Sequence, residues 1–266
     1  QYEKHWAFEA PKKADLPQIN HHGWTTNEVD YFILEKMEAF GFSPNDAATK
    51  DALIKRAYAD LIGLAPSYEK LNHWRSVSSE DWYEQLIDDL LQNPAFGEKL
   101  ALIWMDLARY ADSYGYQDDN IRSQWPWRDW VIHAFNDNLP YDQFLINQIA
   151  GDLLPNATKK NILATAFFRN HKFTEEGGVI DEEYRVSYNI DKTRTYGKAF
   201  LGVTIECAQC HDHKYDPFSN RAYYQLYAFF NESKEKGYEG DVSVSTLAKN
   251  PKLFISAKER NKLLSF

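Results

Sequence analysis

The stretch SEDWYEQLIDDLLQNPAFGEKLALIWMDLARY, residues 79–110, decides the fold class. Its first half repeats apolar side chains at three- and four-residue steps and stops before Pro94, which predicts an amphipathic helix. The apolar face of that helix consists of Trp82, Leu86, Ile87, Leu90 and Leu91. The second half begins with Pro94, a residue favoured in the first turn of a helix, and continues to Tyr110. The stretch therefore predicts two consecutive helices.

Helical periodicity recurs on both sides of this stretch. Upstream it predicts a helix over 27–40, ended by Gly41, and a helix over 49–62 with Thr49 as its N-cap. Downstream it predicts five helices, over 127–136, 141–150, 160–168, 182–200 and 220–230. Extended segments are predicted only at 203–205 and 241–246. The expected fold class is mainly α, a multi-helix, bundle-like domain with few short strands.

The composition of the sequence changes after Phe230. Residues 231–240 are rich in Lys, Glu and Gly, and the tail to Phe266 has weak periodicity. We therefore predict one helical domain over residues 1–235 and a linker with a partial C-terminal element over residues 236–266.

Composition restricts the classes of partner. The chain has 266 residues and a formal net charge of −9 without a basic run, so nucleic acid is not an expected partner. No apolar stretch approaches the roughly 18 residues that a membrane helix needs, so no membrane span is expected in this segment. Aromatic residues make up 15% of the chain, and large rings serve core packing as well as sugar and cofactor sites.

The pentapeptide Cys207-Ala208-Gln209-Cys210-His211, the CxxCH motif, uses the only two cysteines of the chain. CxxCH is the attachment sequence for c-type haem: each thiol can form a thioether to one vinyl-derived edge of the porphyrin, and the adjacent imidazole can ligate the iron. The motif predicts covalent haem c near the C-terminal end of the helical domain. His211 is the predicted iron ligand, and His213 is predicted to hydrogen bond a propionate or the proximal side.

The haem prediction carries a prediction of compartment. In bacteria haem c is attached after export, so we expect a periplasmic or otherwise exported location. The sequence shows no signal peptide, which indicates that Gln1 begins a trimmed chain.

Three other interpretations of the cysteines stay open. They are a local disulfide, a thioredoxin-like redox pair, and a zinc site with Cys207, Cys210, His211 and His213 as ligands. A redox pair normally lies near a βαβ pattern, which this sequence lacks. Structural zinc usually draws its ligands from two separated pairs, and the chain offers no second pair.

Ordered motifs over residues 5–231 extend this picture. They include ECAQCHDHKYDP at 206–217, DLARYADS at 106–113, WRDWVI at 127–132 and AGDLLP at 150–155. In this order they resemble the planctomycete cytochrome-like domain of unknown function. The resemblance implies an exported bacterial protein, commonly joined to a cytochrome c domain upstream and a companion domain downstream, so the expected redox partner is that cytochrome domain. It implies no established reaction.

The sixth ligand of the iron decides between electron transfer and catalysis, because an open iron can bind a small molecule. The candidates are Met105, His133, His171 and His213. His213 lies two residues from the proximal ligand and cannot easily reach the opposite face of the ring. We prefer His171 as the distal residue, either as a ligand or as an acid–base group.

Polar clusters provide two further candidate sites. Arg109 and Tyr110, crowded with Asp112 and Tyr116 at a helix end, are candidates for catalysis, for binding haem propionates or for binding a carbohydrate. An acidic cluster is a candidate calcium site, although the N-terminus of a helix also explains part of it. The cluster consists of Glu175, Glu176, Asp181, Glu182 and Glu183.

Two functions from different classes follow, and a third stays open. The first is electron transfer by a c-type cytochrome domain. The second is a haem-dependent redox enzyme acting on a small molecule or carbohydrate at an open iron. The third is a non-redox binding module in which the cysteine pair is structural or holds zinc.

Overall fold

A computed structural model of the chain describes residues 5–264. It is mainly helical, as predicted, and the described residues divide into two compact units between Leu53 and Ile54. The α-helices are α1 (Glu28–Ala39), α2 (Lys50–Ile62), α3 (Tyr68–Ser76), α4 (Trp82–Leu91), α5 (Ala95–Ala108), α6 (Trp125–Asn136), α7 (Tyr141–Ala150), α8 (Lys159–Ala164), α9 (Asp181–Tyr196), α10 (Asn220–Asn231) and α11 (Ala257–Leu264). Over residues 5–264, β-type pairing is confined to two isolated bridges, Ser113–Ile121 and Thr174–Tyr238. No helix in that range combines the length and apolar character needed to cross a membrane.

The first unit contains α1, which begins at a capping box. The Asn27 side chain accepts hydrogen bonds from the amides of Val29 and Asp30 at 2.9 and 3.2 Å, and the Asp30 carboxylate accepts from the Asn27 amide at 3.1 Å. These bonds satisfy amides that have no partner within the helix. The helix predicted over 27–40 is confirmed, and its start is fixed by these local bonds.

Two apolar clusters form much of the core of the second unit. The first joins α2, α3 and α4 and contains Ile54, Ala57, Tyr58, Ile62, Trp74, Leu86 and Leu90. Leu86 and Leu90 are fully buried and Trp82 and Ile87 are half-buried, which confirms most of the apolar face predicted for α4, whereas Leu91 is exposed. The second cluster is dominated by aromatic rings from α5 to α8 and the 3₁₀ turn that follows, including Trp104, Trp127, Trp130, Phe144 and Phe167.

Helices α5 and α6 pack against each other, and Gly97 permits their close approach. A Cβ atom at Gly97 would lie 2.5 Å from the carbonyl oxygen of Ile132 on α6. The Asn136 side chain accepts from the Gly97 amide at 2.9 Å and so joins the two helices by a hydrogen bond. Helices α5 and α6 together support the polar residues that follow α5 in the sequence.

The structure differs from the sequence analysis at three places. The helix α3 was not predicted from periodicity; its N-cap is Ser67, whose hydroxyl accepts from the Lys70 amide at 3.2 Å. Residues 241–246, predicted to be extended, instead contain a 3₁₀ turn at Val242–Val244. The Asp241 carboxylate accepts from the Ser243 amide at 2.9 Å, and such a local bond competes with strand pairing. Residues 203–205 do not form a strand either.

The chain reaches the CxxCH motif through a π-helical turn. The helix predicted over 182–200 is α9 followed by this turn, Gly197–Leu201. Gly202 ends the turn with a φ of 65°, in the left-handed region that glycine adopts without steric cost. The reversal at Gly202 directs the chain away from the helix axis and into the motif.

Residues 235–250, which we call the C-terminal strap, pack against the second unit. Tyr188 donates to the carbonyl oxygen of Gly237 at 2.9 Å, and Tyr114 donates to that of Thr246 at 2.8 Å. Gly237 lies so close to α9 that a Cβ atom there would be 1.9 Å from the Asp181 carbonyl oxygen. The stretch that the sequence analysis treated as a linker therefore contributes core contacts, while the predicted domain boundary at residue 235 stays a prediction.

Candidate functional site

The CxxCH motif begins on a 3₁₀ turn, Glu206–Gln209, at the start of a loop that leads to α10. Cys207 and Cys210 are both free and exposed. Ala208 between them is fully buried in a small apolar cluster with Ile205 and Tyr223. The Asn220 side chain donates to the carbonyl oxygens of Ala208 and Gln209 at 2.9 Å each. The buried side chain of Ala208 and the hydrogen bonds from Asn220 thus hold the turn in place, while both thiols are exposed to solvent.

His211 is exposed, and one of its ring nitrogens is engaged. Its Nδ1 lies 2.7 Å from the carbonyl oxygen of Asp212. A carbonyl oxygen only accepts hydrogen bonds, so Nδ1 carries a proton, and in the neutral imidazole Nε2 is the nitrogen with the lone pair. Histidines that bind metals use this arrangement, in which a backbone carbonyl fixes the tautomer and the ring orientation. The Asp212 carboxylate in turn accepts from the Asn220 amide at 2.7 Å, which anchors this part of the loop.

His213 supports the same loop from within. Its Nδ1 accepts from the amides of Asp216 and Tyr215 at 2.8 and 3.3 Å, and its own amide donates to the carbonyl oxygen of Phe218 at 2.8 Å. These bonds define the turn after the motif. The predicted contact of His213 with a cofactor stays a prediction.

A cavity of about 410 Å³ lies in the second unit. Its lining comes from the end of α5, the segment 111–122, residues 170–172 and α9; the polar members include Arg109, Arg122, His171, Lys172, Asp191 and Arg194. Arg109 follows α5 in the left-handed region, with a φ of 58°. Its Nη2 lies 2.5 Å from the Asp191 carboxylate on α9. Two of the three residues proposed for catalysis, Arg109 and His171, are therefore brought together.

The third of these residues, Tyr110, is not among the residues that line this cavity. Its hydroxyl donates to the Asp112 carboxylate at 2.5 Å, and its ring stacks on Trp127 with 6.1 Å between centroids. Burial, reinforced by Asp112, raises the pKa of Tyr110. Arg109 and Tyr110 are thus neighbours in the sequence, but Arg109 lines the cavity and Tyr110 packs against Trp127.

His171 is buried and both of its ring nitrogens are engaged. Nε2 lies 2.9 Å from the Glu235 carboxylate, and Nδ1 lies 2.7 Å from the carbonyl oxygen of Lys172. Both partners are acceptors, so the ring carries a proton on each nitrogen. The imidazole also stacks on Tyr188, with 4.5 Å between the ring centroids. The role of distal iron ligand stays a prediction and requires that His171 release one of these bonds.

Glu235 is the centre of a buried charge network. It pairs with His171, with Nη1 of Arg169 at 2.7 Å and with Lys192. Burial alone would raise the pKa of Glu235, but the cations His171, Arg169 and Lys192 outweigh burial and hold this pKa well below its usual range. The carboxylate is therefore ionised and structural at neutral pH.

The sequence analysis missed Arg122 and Arg194, which also line the cavity. Arg194 donates from Nη2 to the Gln209 side chain at 2.7 Å, and Gln209 is one of the two residues between the cysteines. The cavity wall and the CxxCH motif therefore share a direct hydrogen bond. Arg194 lies 15 residues before Gln209, and the sequence gives no signal of this contact, because the turn at Gly202 creates it.

Among residues 5–264, no group of three or more His, Cys, Asp or Glu side chains is arranged to hold a metal ion. Three of the five carboxylates of the proposed calcium cluster bind groups of the protein instead. Glu175 pairs with Lys249 at 2.5 Å, Glu182 pairs with Arg185 at 2.6 Å, and Asp181 accepts from the Tyr238 amide at 2.7 Å. Neither the calcium nor the zinc interpretation gains support from this arrangement.

The two remaining candidates for the sixth ligand lie on the packed helices. Met105 is half-buried on α5 and lines a second cavity, of about 470 Å³, together with Arg128 and Ile132. His133 is half-buried on α6. The residues that line this second cavity do not include any residue of the CxxCH motif.

Comparison with known families agrees with the resemblance seen in the sequence. The sequence model of PSCyt2, described as a protein of unknown function (DUF1549), matches residues 28–235. The chain belongs to the PSCyt2 family. No curated protein and no solved structure matches this PSCyt2 chain. The matched range covers the CxxCH motif and all residues that line the 410 Å³ cavity, and it ends at Glu235, where the C-terminal strap begins.

Proposed function

We propose that this PSCyt2 chain is a c-type haem-binding protein that transfers electrons in an exported compartment. The observation that carries the proposal is the hydrogen bond from His211 Nδ1 to the Asp212 carbonyl, which leaves the lone pair of Nε2 available beside two exposed thiols. Cys207 and Cys210 would hold the haem through thioethers, and His211 would ligate the iron. Haem, when bound, supplies a centre that takes up and releases one electron.

The residues around the motif have defined tasks in this function. The Asp212 carbonyl orients the imidazole of His211 and raises its basicity as a ligand. Asn220 holds the turn through Ala208 and Gln209 and so keeps the two thiols on one side of it. The proposed partner is a cytochrome domain in the same full-length protein, in agreement with the family resemblance.

The test is a pyridine haemochrome spectrum of the denatured protein after co-expression with the haem-attachment machinery. We expect a c-type α band that survives acid–acetone extraction. The matched control is the double variant Cys207→Ser/Cys210→Ser, which we expect to lose the band. A chain without covalent haem, from cells that load a known c-type cytochrome, would contradict the proposal.

A second function, redox chemistry on a small molecule or carbohydrate at an open iron, is favoured by the engagement of His171. Both of its ring nitrogens are bound within the protein, and Met105 belongs to the wall of a different cavity. This supports an iron with one protein ligand. The spin state of the loaded protein separates the two functions: a low-spin, two-ligand spectrum supports electron transfer, and a high-spin iron that readily binds carbon monoxide supports the enzyme.

A further inference from the structure

Positive charge is concentrated in the 410 Å³ cavity of the second unit. Its lining contains four cationic side chains, Arg109, Arg122, Lys172 and Arg194, and one carboxylate, Asp191. His171, which also lines the cavity, pairs with Glu235, a carboxylate that it shares with Arg169 and Lys192. The chain as a whole has a net charge of −9, so this concentration is opposite in sign to the rest of the molecule. A concave site lined by one sign of charge attracts ligands of the other sign.

Arg122 contributes a buried charge that no carboxylate contacts among the described residues. Its guanidinium donates instead to the carbonyl oxygens of Ala111, Arg169, Asn170 and His171, at 2.8 to 3.2 Å. Burial, together with the neighbouring cations Arg169 and Arg109, lowers the pKa of Arg122 to about 10. The carbonyl dipoles hold the side chain in place, and its positive charge remains to act on the cavity.

Arg109 lines the same wall, and one donor of its guanidinium has no partner among the described residues; that donor is closed to solvent, so a ligand reaches it only if the side chain shifts. Its Nη2 is taken by Asp191, whereas Nη1 is buried and has no hydrogen-bond partner among residues 5–264. A buried donor without a partner is unfavourable, and an oxyanion placed against it would form a charge-assisted hydrogen bond. Burial lowers the pKa of Arg109, in agreement with a guanidinium that is only partly compensated.

We propose that this cavity binds the oxyanion group of a small organic acid, with Arg109 as the principal contact. The volume of about 410 Å³ suits a molecule with one sugar-sized ring. Lys172, whose ammonium lies 5.6 Å from the Tyr116 ring, adds a cation at an exposed part of the lining. Ser113 and Ser187 line the same cavity, and serine is a residue type that can hydrogen bond the hydroxyl groups of a sugar acid.

The test uses isothermal titration calorimetry with sodium glucuronate as the probe and glucose as the neutral control, at low ionic strength. We expect saturable binding of glucuronate, no binding of glucose, and weaker glucuronate binding in about 0.5 M sodium chloride, because salt screens charge–charge attraction. Failure of glucuronate to bind to the haem-free chain, or equal binding of glucose, would overturn the proposal.

Variants locate the site. Arg109→Gln removes the principal donor, and we expect it to weaken glucuronate binding by about tenfold or more. Lys172→Gln alters an exposed side chain, so it tests the cavity even if the Arg109 variant does not fold; we expect a severalfold loss of affinity. The matched control is Lys160→Gln, the same charge change at an exposed position on α8 that does not line the cavity, and it should bind as the unmodified chain does. Unchanged binding in Lys172→Gln and in folded Arg109→Gln would overturn the proposal.

A free organic acid and the propionates of a haem at the motif have the same carboxylate chemistry. Arg194 in the cavity wall is hydrogen bonded to Gln209, a residue of that motif. Titrations of the haem-loaded chain and of Cys207→Ser/Cys210→Ser separate these sources. Glucuronate binding to both forms assigns the cavity to a free acid. Binding to the double variant alone assigns it to the propionates. The double variant tests the cavity even if the chain takes up no haem, so failure of the haem proposal and failure of this one are distinguishable.

Discussion

The buried carboxylate of Glu235 receives three cations from separate parts of the sequence. His171 and Arg169 precede α9, and Lys192 lies within it. The neutral variant Glu235→Gln leaves these charges around an amide, and removal of one partner from a buried ionic network costs about 3–5 kcal/mol. We expect urea denaturation at pH 7 to show a loss of this size. The control is Glu232→Gln at an exposed position, expected to stay within about 0.5 kcal/mol of the unmodified chain. Similar stability of the two variants would contradict this role of Glu235.

The same carboxylate predicts a dependence on pH. Its pKa in the folded chain lies below that in the unfolded chain, so its contribution to the free energy of unfolding is full above the unfolded value of about 4.3 and falls as the pH decreases below it. The stability difference between the unmodified chain and Glu235→Gln should therefore shrink as the pH falls below about pH 4. Urea titrations at a series of pH values measure it. A stability difference that grows as the pH falls would contradict a lowered pKa of Glu235 in the folded chain.

At the scale of single residues, the sequence predicts contacts between neighbours in the chain and misses contacts between positions that are far apart in the chain. The geometry of His211 depends on its next neighbour, Asp212, so the CxxCH motif could be recognised as a unit. The environment of His171 depends on Glu235, which is 64 residues away and reaches it only because the C-terminal strap returns to α9. No spacing rule connects these two positions, so the ion pair could not be predicted from the sequence.

At the scale of elements, Gly202 is the residue that separates the π-helical turn from the CxxCH motif. Its φ of 65° is strained for an L-residue, although a Cβ atom there would meet no atom within 4 Å. Gly202→Ala should therefore lose about 1 kcal/mol of stability through backbone strain alone. Gly202→Asn, a residue that tolerates the left-handed region, should recover part of that loss in chemical denaturation. Equal losses in the Ala and Asn variants would point to a cause other than φ.

Periodicity predicted the helices that have continuous apolar faces. It failed where hydrogen bonds of polar side chains determine the local structure. The faces of α4 and α5 pack in the core, and their pattern is strong. In α3 only Trp74 is buried, and its start depends on the Ser67 cap. At 241–246 the alternating valines suggested a strand, but Val242 and Val244 are exposed and the Asp241 carboxylate closes a turn. Local hydrogen bonds outweigh β-propensity where no neighbouring strand is available.

At the scale of the whole molecule, the C-terminal strap extends the folded unit beyond the residues that match the PSCyt2 family. Lys249 pairs with Glu175, both of them buried, and Tyr114 donates to the Thr246 carbonyl. A chain that ends at residue 235 leaves Glu175 buried without its cation, which costs about 3–5 kcal/mol from this pair alone. We expect such a chain to melt at a clearly lower temperature in circular dichroism.

The control for this truncation is a chain that ends at residue 256. It lacks α11 but keeps the strap. It loses the partly exposed ion pair between Lys159 and Glu259 and the contact of Arg260 with the Trp125 ring. Exposed pairs contribute about 1 kcal/mol or less, so its melting temperature should stay close to that of the full chain. A chain ending at residue 235 that melts with the full chain would show that the strap is dispensable.

The fold class and the family were accessible from the sequence because both depend on patterns that run along the chain. The cavity was only partly accessible. Arg109 and His171 were predicted as site residues, whereas Arg122 and Arg194 were not, since their positions depend on how the segment after α5 and the end of α9 meet. A concentration of positive charge in an acidic protein becomes visible only in three dimensions.

The hydrogen bond between Arg194 and Gln209 changes how the two middle positions of the CxxCH motif should be regarded. A pattern search accepts any residue there. In this molecule Ala208 has no exposed surface and Gln209 holds the arginine of the cavity wall, so neither position is interchangeable. A designer who transplants only the cysteines and the histidine into another scaffold would transfer the attachment points without the two residues that join them to their host.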